Sequence, residues 1–301
     1  MKIIVPCNNK GGVGKTCITS ILADYFSRVL GKKTLVIDLD PQCNISQRLM
    51  QMEIDPNNPE GHQPPIHPDF KESDVDWDGR SSIADIFLRP QFGVVPYPTM
   101  NEKLDIMPAH ASELLCVEQC RKEEVLDKIY NRFKDFLSMP DVQEEYDFVV
   151  VDTAPSKGAL TRAAMKAASH IIIPTQMEDK PIRGLFGMMQ LWMQEKKNRD
   201  DNNPLNLIGI LPNMFDTRTA LHTSMYEDLK NNPVIAEHLM PCKLSRRITF
   251  AENDTENAMP KSIFDLPNNN KAKQECMEMC EYVIKKINFD EIKNRRESVY
   301  A

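Results

Sequence analysis

The most constraining feature of the sequence lies within its first thirty residues. A short apolar run at 2–5 leads into a glycine-rich loop, and the loop ends in Gly14-Lys15-Thr16 at the start of an amphipathic stretch. Apolar side chains at helical spacing continue to residue 30, and Gly31 is suited to end the helix. A strand, a glycine loop and a helix in this order direct backbone N–H groups and a helix N-terminus at one point. The sequence therefore predicts a phosphate-binding loop.

Further short apolar runs indicate the rest of the fold. They are rich in β-branched residues and lie at 34–37, 148–151, 170–173 and 207–211. Near-continuous runs of this kind are typical of parallel strands that are buried on both faces, and helical stretches separate them. We therefore predict an α/β fold with a mostly parallel, twisted sheet flanked by helices. With 301 residues and 41% hydrophobic content, the chain is expected to form a single domain over 1–301.

Two regions stand apart from this alternation. The proline-rich stretches 55–61 and 64–68 are expected to form no regular elements, so residues 51–80 are predicted to be a surface insertion. Residues 270–294 have helical composition and are predicted to form a C-terminal helix.

The loop carries one lysine more than phosphate binding requires. Lys15 is placed to neutralise the β- and γ-phosphates of a nucleotide, and the Thr16 hydroxyl is placed to hold Mg²⁺. Asn9 occupies the position where the usual phosphate loop has its first glycine, and Lys10 follows it. Lys10 lies three residues before Val13, so it is expected to point at the same anion.

Carboxylates follow two of the predicted strands. Asp38 and Asp40 share a face at the end of the second strand, and Asp152 ends the run at 148–151. Open α/β sheets bind their ligands at the carboxyl ends of the strands, so these residues are candidates for a metal site. Asp147 precedes its strand and is expected to have a structural role only.

The loop resembles that of the ParA/MinD family of deviant Walker A P-loop ATPases, whose Lys-Gly-Gly-x-Gly-Lys-Thr motif stands here at 10–16. Closest are the short, Soj-like members. In that family the added lysine reaches the nucleotide of the other subunit in an ATP-bound dimer, a role that falls to Lys10. Further matching segments extend the resemblance over most of the chain; they are 104–109, 172–176, 183–185, 209–219 and 245–252.

The resemblance implies a role for each site residue. ATP would be bound by Lys10, Gly11, Gly12, Val13, Gly14, Lys15, Thr16 and Cys17, and Asn213 would contribute to the adenine pocket. Mg²⁺ would be held by Thr16, Asp38 and Asp152, where Asp152 corresponds to the Walker B aspartate. The residues implied in catalysis are Lys10, Lys15 and Asp40, and Asp40 would position or activate the attacking water.

The resemblance also implies a function. The chain would be a slow, partner-stimulated ATP hydrolase that forms a homodimer with ATP and binds DNA without sequence preference. It would position or segregate a plasmid, a chromosome origin or a protein assembly such as a carboxysome, together with a ParB-like or other cargo adaptor. Since the formal charge is −7, the DNA contact must be a local basic patch. Arg246 matches an arginine that the family uses for this contact, and Arg218 and Arg247 are nearby candidates.

Two alternatives remain open at this stage. A MinD-like protein would bind membranes through a basic amphipathic C-terminal helix, but acidic residues interrupt the basic side here, so no stable membrane association is expected. A metal or iron–sulfur carrier would need paired thiols. The pairs Cys116/Cys120 and Cys276/Cys280 favour helix packing instead. The scattered cysteines and the lack of a secretory leader predict a cytoplasmic protein. The DNA binding that the resemblance implies would make it nucleoid-associated.

Overall fold

Each apolar run that predicts a strand forms one. The computed structural model describes residues 1–71, 73, 77–91, 93–200, 203–253 and 262–299, with the side chains of all of these except 251–253 and 291–299. The strands, in chain order, are β1 (Lys2–Pro6), β2 (Thr34–Leu39), β3 (Glu53–Asp55), β4 (Asn58–Gln63), β5 (Tyr97–Pro98), β6 (Leu104–Met107), β7 (Phe148–Thr153), β8 (His170–Thr175) and β9 (Asn206–Pro212).

The helices lie between these strands and after the last of them. In chain order they are α1 (Lys15–Asp24), α2 (Asn44–Leu49), α3 (Asp85–Leu88), α4 (Ala111–Glu118), α5 (Glu123–Leu137), α6 (Pro140–Glu145), α7 (Ala159–Ala167), α8 (Asp179–Lys197), α9 (Ala220–Asn231), α10 (Ile248–Asn253) and α11 (Lys271–Val299). A π-helical turn, Tyr25–Val29, follows α1, and Gly31 then leaves the helix with a φ of 65°. The predicted C-terminal helix, 270–294, falls within α11 apart from its first residue.

Seven of the strands form a mostly parallel sheet that is flanked by helices, so the predicted fold class is confirmed. The chain divides into two compact units, which are described separately. The first comprises Met1–Val5 and Phe26–Ala167, and the second comprises Pro6–Tyr25 and Ala168–Ala301.

The first unit contains the strands in the order β5-β6-β2-β7-β1. All six residues of β2 are buried, as expected for a strand covered on both faces. β2 and β7 are parallel, and their register places Asp38 opposite Asp152. Phe26 stacks on Phe148 with ring centroids 4.2 Å apart, which fixes the start of the π-helical turn against the start of β7. Asp147 accepts a hydrogen bond from the Lys33 N–H at 3.0 Å, which fits the structural role expected for it.

The second unit contains β8 and β9, which are parallel, together with α1, α8 and α11. β8 is buried along its whole length. Val283 and Ile287, two residues of the apolar face of α11 that was considered for membrane binding, are buried, and the side chain of Ile292 lies outside the described residues. The Cys276 and Cys280 side chains are buried as well, and burial raises the pKa of both thiols. Among the described residues no helix has both the length and the apolar character that crossing a membrane requires.

The prediction that residues 55–61 form no regular element is wrong. β3 and β4 form an antiparallel hairpin, in which Asp55 pairs with Asn58 and Ile54 with His62. Pro59 is accommodated because a two-stranded ribbon leaves alternate N–H positions of each strand unpaired. The buried Asp55 carboxylate accepts hydrogen bonds from the N–H groups of Asn57 and Ser112, at 2.8 and 3.1 Å, and the second of these ties the hairpin to α4. Residues 64–68, as predicted, belong to neither a helix nor a strand.

Candidate functional site

The glycine-rich loop has the backbone conformation that its sequence predicts. Gly12 and Gly14 have φ values of 73° and 87°, in the left-handed region where a Cβ is strained. Gly14 is the N-cap of α1, and the helix begins at Lys15. Space is restricted at Gly14 as well, because a Cβ there would lie 2.3 Å from Asn213 Nδ2. The loop therefore opens directly into a ten-residue helix, and the first turn of a helix is a site that favours an anion.

Amide side chains from the ends of two strands support the loop. Gln176, just after β8, donates from Nε2 to the Gly12 carbonyl at 2.8 Å. Asn213, just after β9, donates from Nδ2 to the Val13 carbonyl at 2.8 Å and is itself buried. Both bonds fix carbonyl groups of the loop and so restrain its backbone. Adenine binding by Asn213 stays a prediction.

A third amide side chain supports the start of the loop. Asn8 is fully buried, donates from Nδ2 to the Pro174 carbonyl at 2.8 Å and accepts from the Lys10 N–H at 3.1 Å. It thereby ties the loop to β8. The supporting roles of Asn8 and Gln176 were not predicted, and the only sequence signal is that Gln176 falls in a segment that matches the family.

The two lysines of the loop have different surroundings. Lys15 is buried, and its Nζ donates to the Lys10 carbonyl at 3.3 Å. The aliphatic part of Lys10 lies against α8 at Gly184, where a Cβ would come within 2.6 Å of Lys10 Cγ. The glycine of the matching Arg183-Gly184-Leu185 segment thus allows α8 to approach the loop closely. The role of Lys10 toward a second subunit stays a prediction.

The predicted acidic residues meet at the ends of β2 and β7 in the first unit. Asp38 and Asp152 are fully buried, and Asp40 is nearly so. Burial raises the pKa of Asp38 well above its ordinary value, and the charge of Asp152 adds to this effect. Two buried carboxylates on paired residues are an oxygen-rich arrangement, and a divalent cation would relieve their mutual repulsion.

Ser46 contacts the acidic cluster, although no motif in the sequence singles it out. Asp38 Oδ2 accepts from the Ser46 hydroxyl at 2.6 Å and from the Ser46 N–H at 3.1 Å, while Oδ1 accepts from the Asp40 N–H at 3.0 Å. Asp38 thereby fixes the first turn of α2. This arrangement depends on Cys43, which precedes α2 with a φ of 56°.

The three arginines predicted to bind DNA lie on two segments that pair with each other in the second unit. Phe215 and Ser245 form a parallel bridge, and the Arg246 N–H donates to the Phe215 carbonyl at 2.9 Å. Arg218 is paired with Asp216 at 2.8 Å and Arg247 with Glu275 at 2.6 Å. Arg246 is exposed and has no ion pair among the described residues. Of the three, Arg246 is therefore the residue whose charge is least compensated.

Comparison with known proteins identifies the family. A family model described as an AAA domain matches residues 1–206. The chromosome-partitioning ATPase Soj of Treponema pallidum is 29% identical to the chain over 73% of the chain and 74% of its own length. Among solved structures, the Cyanothece McdA(D38A)–ATP complex has a TM-score of 0.72 and 16% identity, and the match covers 96% of both chains.

A second solved structure is the putative plasmid partition protein of Borrelia burgdorferi bound to AMPPNP. It has a TM-score of 0.69 and 21% identity, and the match covers 95% of this chain and 99% of that one. These two structural matches establish the fold, and the family model covers well over half of the sequence. The resemblance drawn from the motifs is confirmed: the chain belongs to this AAA-domain family and is a member of the ParA/MinD family of ATPases.

Proposed function

We propose that this chain hydrolyses ATP and uses the nucleotide state to position or segregate an intracellular cargo. The observation that carries the proposal is the loop at 10–16, where two glycines with positive φ open α1 and two lysines flank them. Its similarity to a chromosome-partitioning ATPase and to a putative plasmid partition protein supports the cargo role.

The loop would hold the nucleotide phosphates. N–H groups of Gly11 to Gly14 and of the first turn of α1, including Cys17, would surround the phosphate oxygens. Lys15 would neutralise the β- and γ-phosphates and so favour the transition state of phosphoryl transfer. Asn213 would contribute to the adenine pocket from the position that it occupies behind the loop.

The acidic residues fit a magnesium site. Mg²⁺ prefers carboxylate and hydroxyl oxygens, and Asp38, Asp152 and Thr16 would hold it directly or through water. When bound, the ion neutralises charge on the transferring phosphoryl group. Asp40 would orient the attacking water, since its carboxylate follows Asp38 at the same strand end and accepts a hydrogen bond from the Gln42 N–H at 3.0 Å.

The second lysine would couple ATP binding to assembly. Lys10 would reach the phosphates that a second copy of the chain binds, so that ATP stabilises a homodimer with Lys10 acting across the interface. Hydrolysis removes the γ-phosphate and with it part of this attraction, so the ATP dimer would separate slowly until a partner protein stimulates the reaction. This is the deviant Walker A mechanism that the family resemblance implies.

The ATP dimer would bind DNA through Arg246, assisted by Arg218 and Arg247 once their carboxylate partners are displaced. Contacts with phosphates alone give affinity that does not depend on base sequence and that falls steeply with salt. The protein would then be cytoplasmic and nucleoid-associated, and a ParB-like or other adaptor on the cargo would release it.

Co-sedimentation with DNA or with liposomes, each with ATP, ADP or no nucleotide, tests this proposal. The expected result is retention on DNA with ATP only, and its loss at high salt. ATP-dependent binding to liposomes instead would favour the MinD-like alternative.

The Arg246→Glu variant should lose DNA retention while it still forms the ATP dimer. Lys230→Glu is a matched control, because it makes the same change of charge on α9 at a lysine that pairs with Glu227 at 3.2 Å. Equal retention of both variants would place the DNA surface elsewhere.

A further inference from the structure

The segment that follows Asp152 is held by a side chain from a distant helix. Residues 154–160 comprise the connection from β7 to α7 and the first two residues of α7, and the carboxylate of Glu118, the last residue of α4, contacts this segment twice. Glu118 Oε1 accepts from the Ser156 hydroxyl at 2.6 Å, and Oε2 accepts from the Leu160 N–H at 3.0 Å. All of these residues belong to the first unit.

The same network extends through the segment. The Ser156 hydroxyl oxygen accepts from the Gly158 N–H at 3.1 Å, and the Ser156 N–H donates to the Ala154 carbonyl at 2.8 Å. A single carboxylate therefore fixes a chain of hydrogen bonds that ends two residues after Asp152. The 2.6 Å distance between the Ser156 hydroxyl and Glu118 Oε1 lies in the range of hydrogen bonds to a carboxylate, which are shorter and stronger than neutral ones.

Gly158 makes room for this carboxylate. A Cβ at residue 158 would lie 1.9 Å from Glu118 Oε1 and 2.5 Å from its carboxyl carbon. No side chain fits at this position while Glu118 holds the segment. Glycine is therefore needed here for space, and the Glu118 contact depends on it.

Capping α7 would be a sufficient structural role for Glu118, because the Leu160 N–H lies in the first turn of α7, where N–H groups have no partner within the helix. The Ser156 contact is not explained by capping, since Ser156 lies outside α7 and nearer to Asp152. Two bonds in different directions restrain the whole segment and not only the helix end.

We infer that Glu118 is a positioning residue for ATP hydrolysis, which it promotes by fixing residues 154–160 beside the carboxylate of Asp152. This inference rests on the proposed ATPase function. Glu118 does not touch the reacting atoms; it limits the conformations of the segment that follows the metal-site aspartate. Loss of such positioning lowers the rate of the chemical step more than it lowers the affinity for ATP.

The test is steady-state ATP hydrolysis by Glu118→Ala, Glu118→Gln and the wild type. We expect kcat to fall by about 10- to 100-fold in Glu118→Ala with KM within about twofold of wild type. Glutamine keeps one acceptor oxygen, so Glu118→Gln should recover part of the rate. Glu113→Gln is the matched control, because it breaks an ion pair of the same helix, with Arg89 at 2.8 Å, and should leave kcat unchanged.

A double-mutant cycle separates positioning from general destabilisation. If Ser156 and Glu118 act through their mutual contact, Ser156→Ala should lower kcat in the wild type but have little further effect in Glu118→Ala. Gly158→Ala should likewise lower kcat in the wild type, because it displaces the carboxylate, and have a smaller effect when Glu118 is absent. Fully multiplicative effects would contradict the inference.

Amide hydrogen exchange of the chain without nucleotide provides a second measurement. Glu118→Ala should accelerate exchange in the peptide that covers residues 154–161, and Glu113→Gln should not. If exchange is accelerated in Glu118→Ala but kcat is unchanged or increased, Glu118 is a helix cap only. That result would overturn the inference but not the ATPase proposal. A wild-type chain that does not hydrolyse ATP would overturn the proposed function itself, and exchange would still decide whether Glu118 holds the segment.

Discussion

The phosphate loop and the acidic ends of β2 and β7 differ in the interactions that their buried side chains make. Around the loop, the neutral amides of Asn8, Gln176 and Asn213 donate to backbone carbonyls. At the strand ends, Asp38 and Asp152 are buried carboxylates whose charges repel each other. Neutral hydrogen bonds add to folding stability, whereas buried like charges subtract from it. Function and stability should therefore change together in the loop and in opposite directions at the strand ends.

The largest expected effect separates the two lysines of the loop. Lys15→Ala removes the buried ammonium and should reduce ATP affinity by more than about 100-fold, since hydrogen bonds to charged groups are among the strongest. Lys10→Ala should bind ATP as a monomer and fail to form the ATP dimer. Titration with a fluorescent ATP analogue and mass measurement by light scattering distinguish these outcomes. Equal loss of binding in both variants would contradict a role across subunits.

The next largest effect is expected at the strand ends, where a variant that loses activity should gain stability. Asp38→Asn removes one of two repelling charges, so it should raise the free energy of unfolding by about 1 to 3 kcal/mol without Mg²⁺ or nucleotide, while hydrolysis is lost. Urea denaturation in the presence of EDTA measures the first effect.

Asp147→Asn is the control for this variant, because Asp147 lies at the other end of β7, where it is partly exposed and pairs with Lys32 at 3.7 Å. It should be neutral or slightly destabilising. If Asp38→Asn loses as much stability as Asp147→Asn, the hydrogen bonds between Asp38 and Ser46 outweigh the repulsion between Asp38 and Asp152.

The pH dependence of stability should sharpen the same contrast. The pKa of Asp38 is raised in the folded chain, so this carboxyl group keeps its proton to a higher pH when folded than when unfolded. As the pH rises from the ordinary carboxyl value toward the raised pKa, the wild type should lose stability relative to Asp38→Asn. The limit for one proton is about 1.4 kcal/mol per pH unit. Parallel unfolding curves for the two proteins between pH 5 and about 8 would contradict this expectation.

The smallest expected effects concern the amides that support the loop. Gln176→Ala and Asn213→Ala each leave a loop carbonyl without its partner, and each should lower stability by about 1 kcal/mol and ATP affinity by about fivefold. Comparison of ATP with GTP adds a further distinction. If Asn213 contacts adenine, its variant should lose selectivity between the two nucleotides, whereas Gln176→Ala should weaken both equally.

The part of the site that was predictable from sequence depends on local patterns. The loop at 10–16 and the aspartates at 38 and 152 each follow an apolar run, so strand and site could be predicted together. The amide supports could not, since Gln176 lies 164 residues from Gly12 and Asn213 lies 200 residues from Val13. Such pairs are brought together by the order of the strands in the sheet, and this order cannot be predicted from the spacing of residues in the sequence.

Errors and omissions in the first unit have a similar cause. Residues 55–61 are expected to form no regular element because the stretch contains Pro56, Pro59 and Gly61, but a proline is unfavourable in a strand only where an N–H at its position would have to pair. Ser46 is close to Asp38 in sequence, but their contact requires the left-handed conformation of Cys43, a residue type that rarely adopts it. Glu118 reaches a segment about 40 residues away and stands in no recognisable motif.

Helix α4 joins two of these features end to end. Its first turn is fixed by Asp55 of the hairpin, and Gly61 of β4 lies so close that a Cβ there would be 2.7 Å from the Ala111 Cβ. Its last residue is Glu118. A helix of eight residues spans about 12 Å and does not shorten or bend appreciably, so its two ends move as one piece. A molecule that bound the hairpin and shifted it would therefore also shift Glu118 and the segment that follows Asp152.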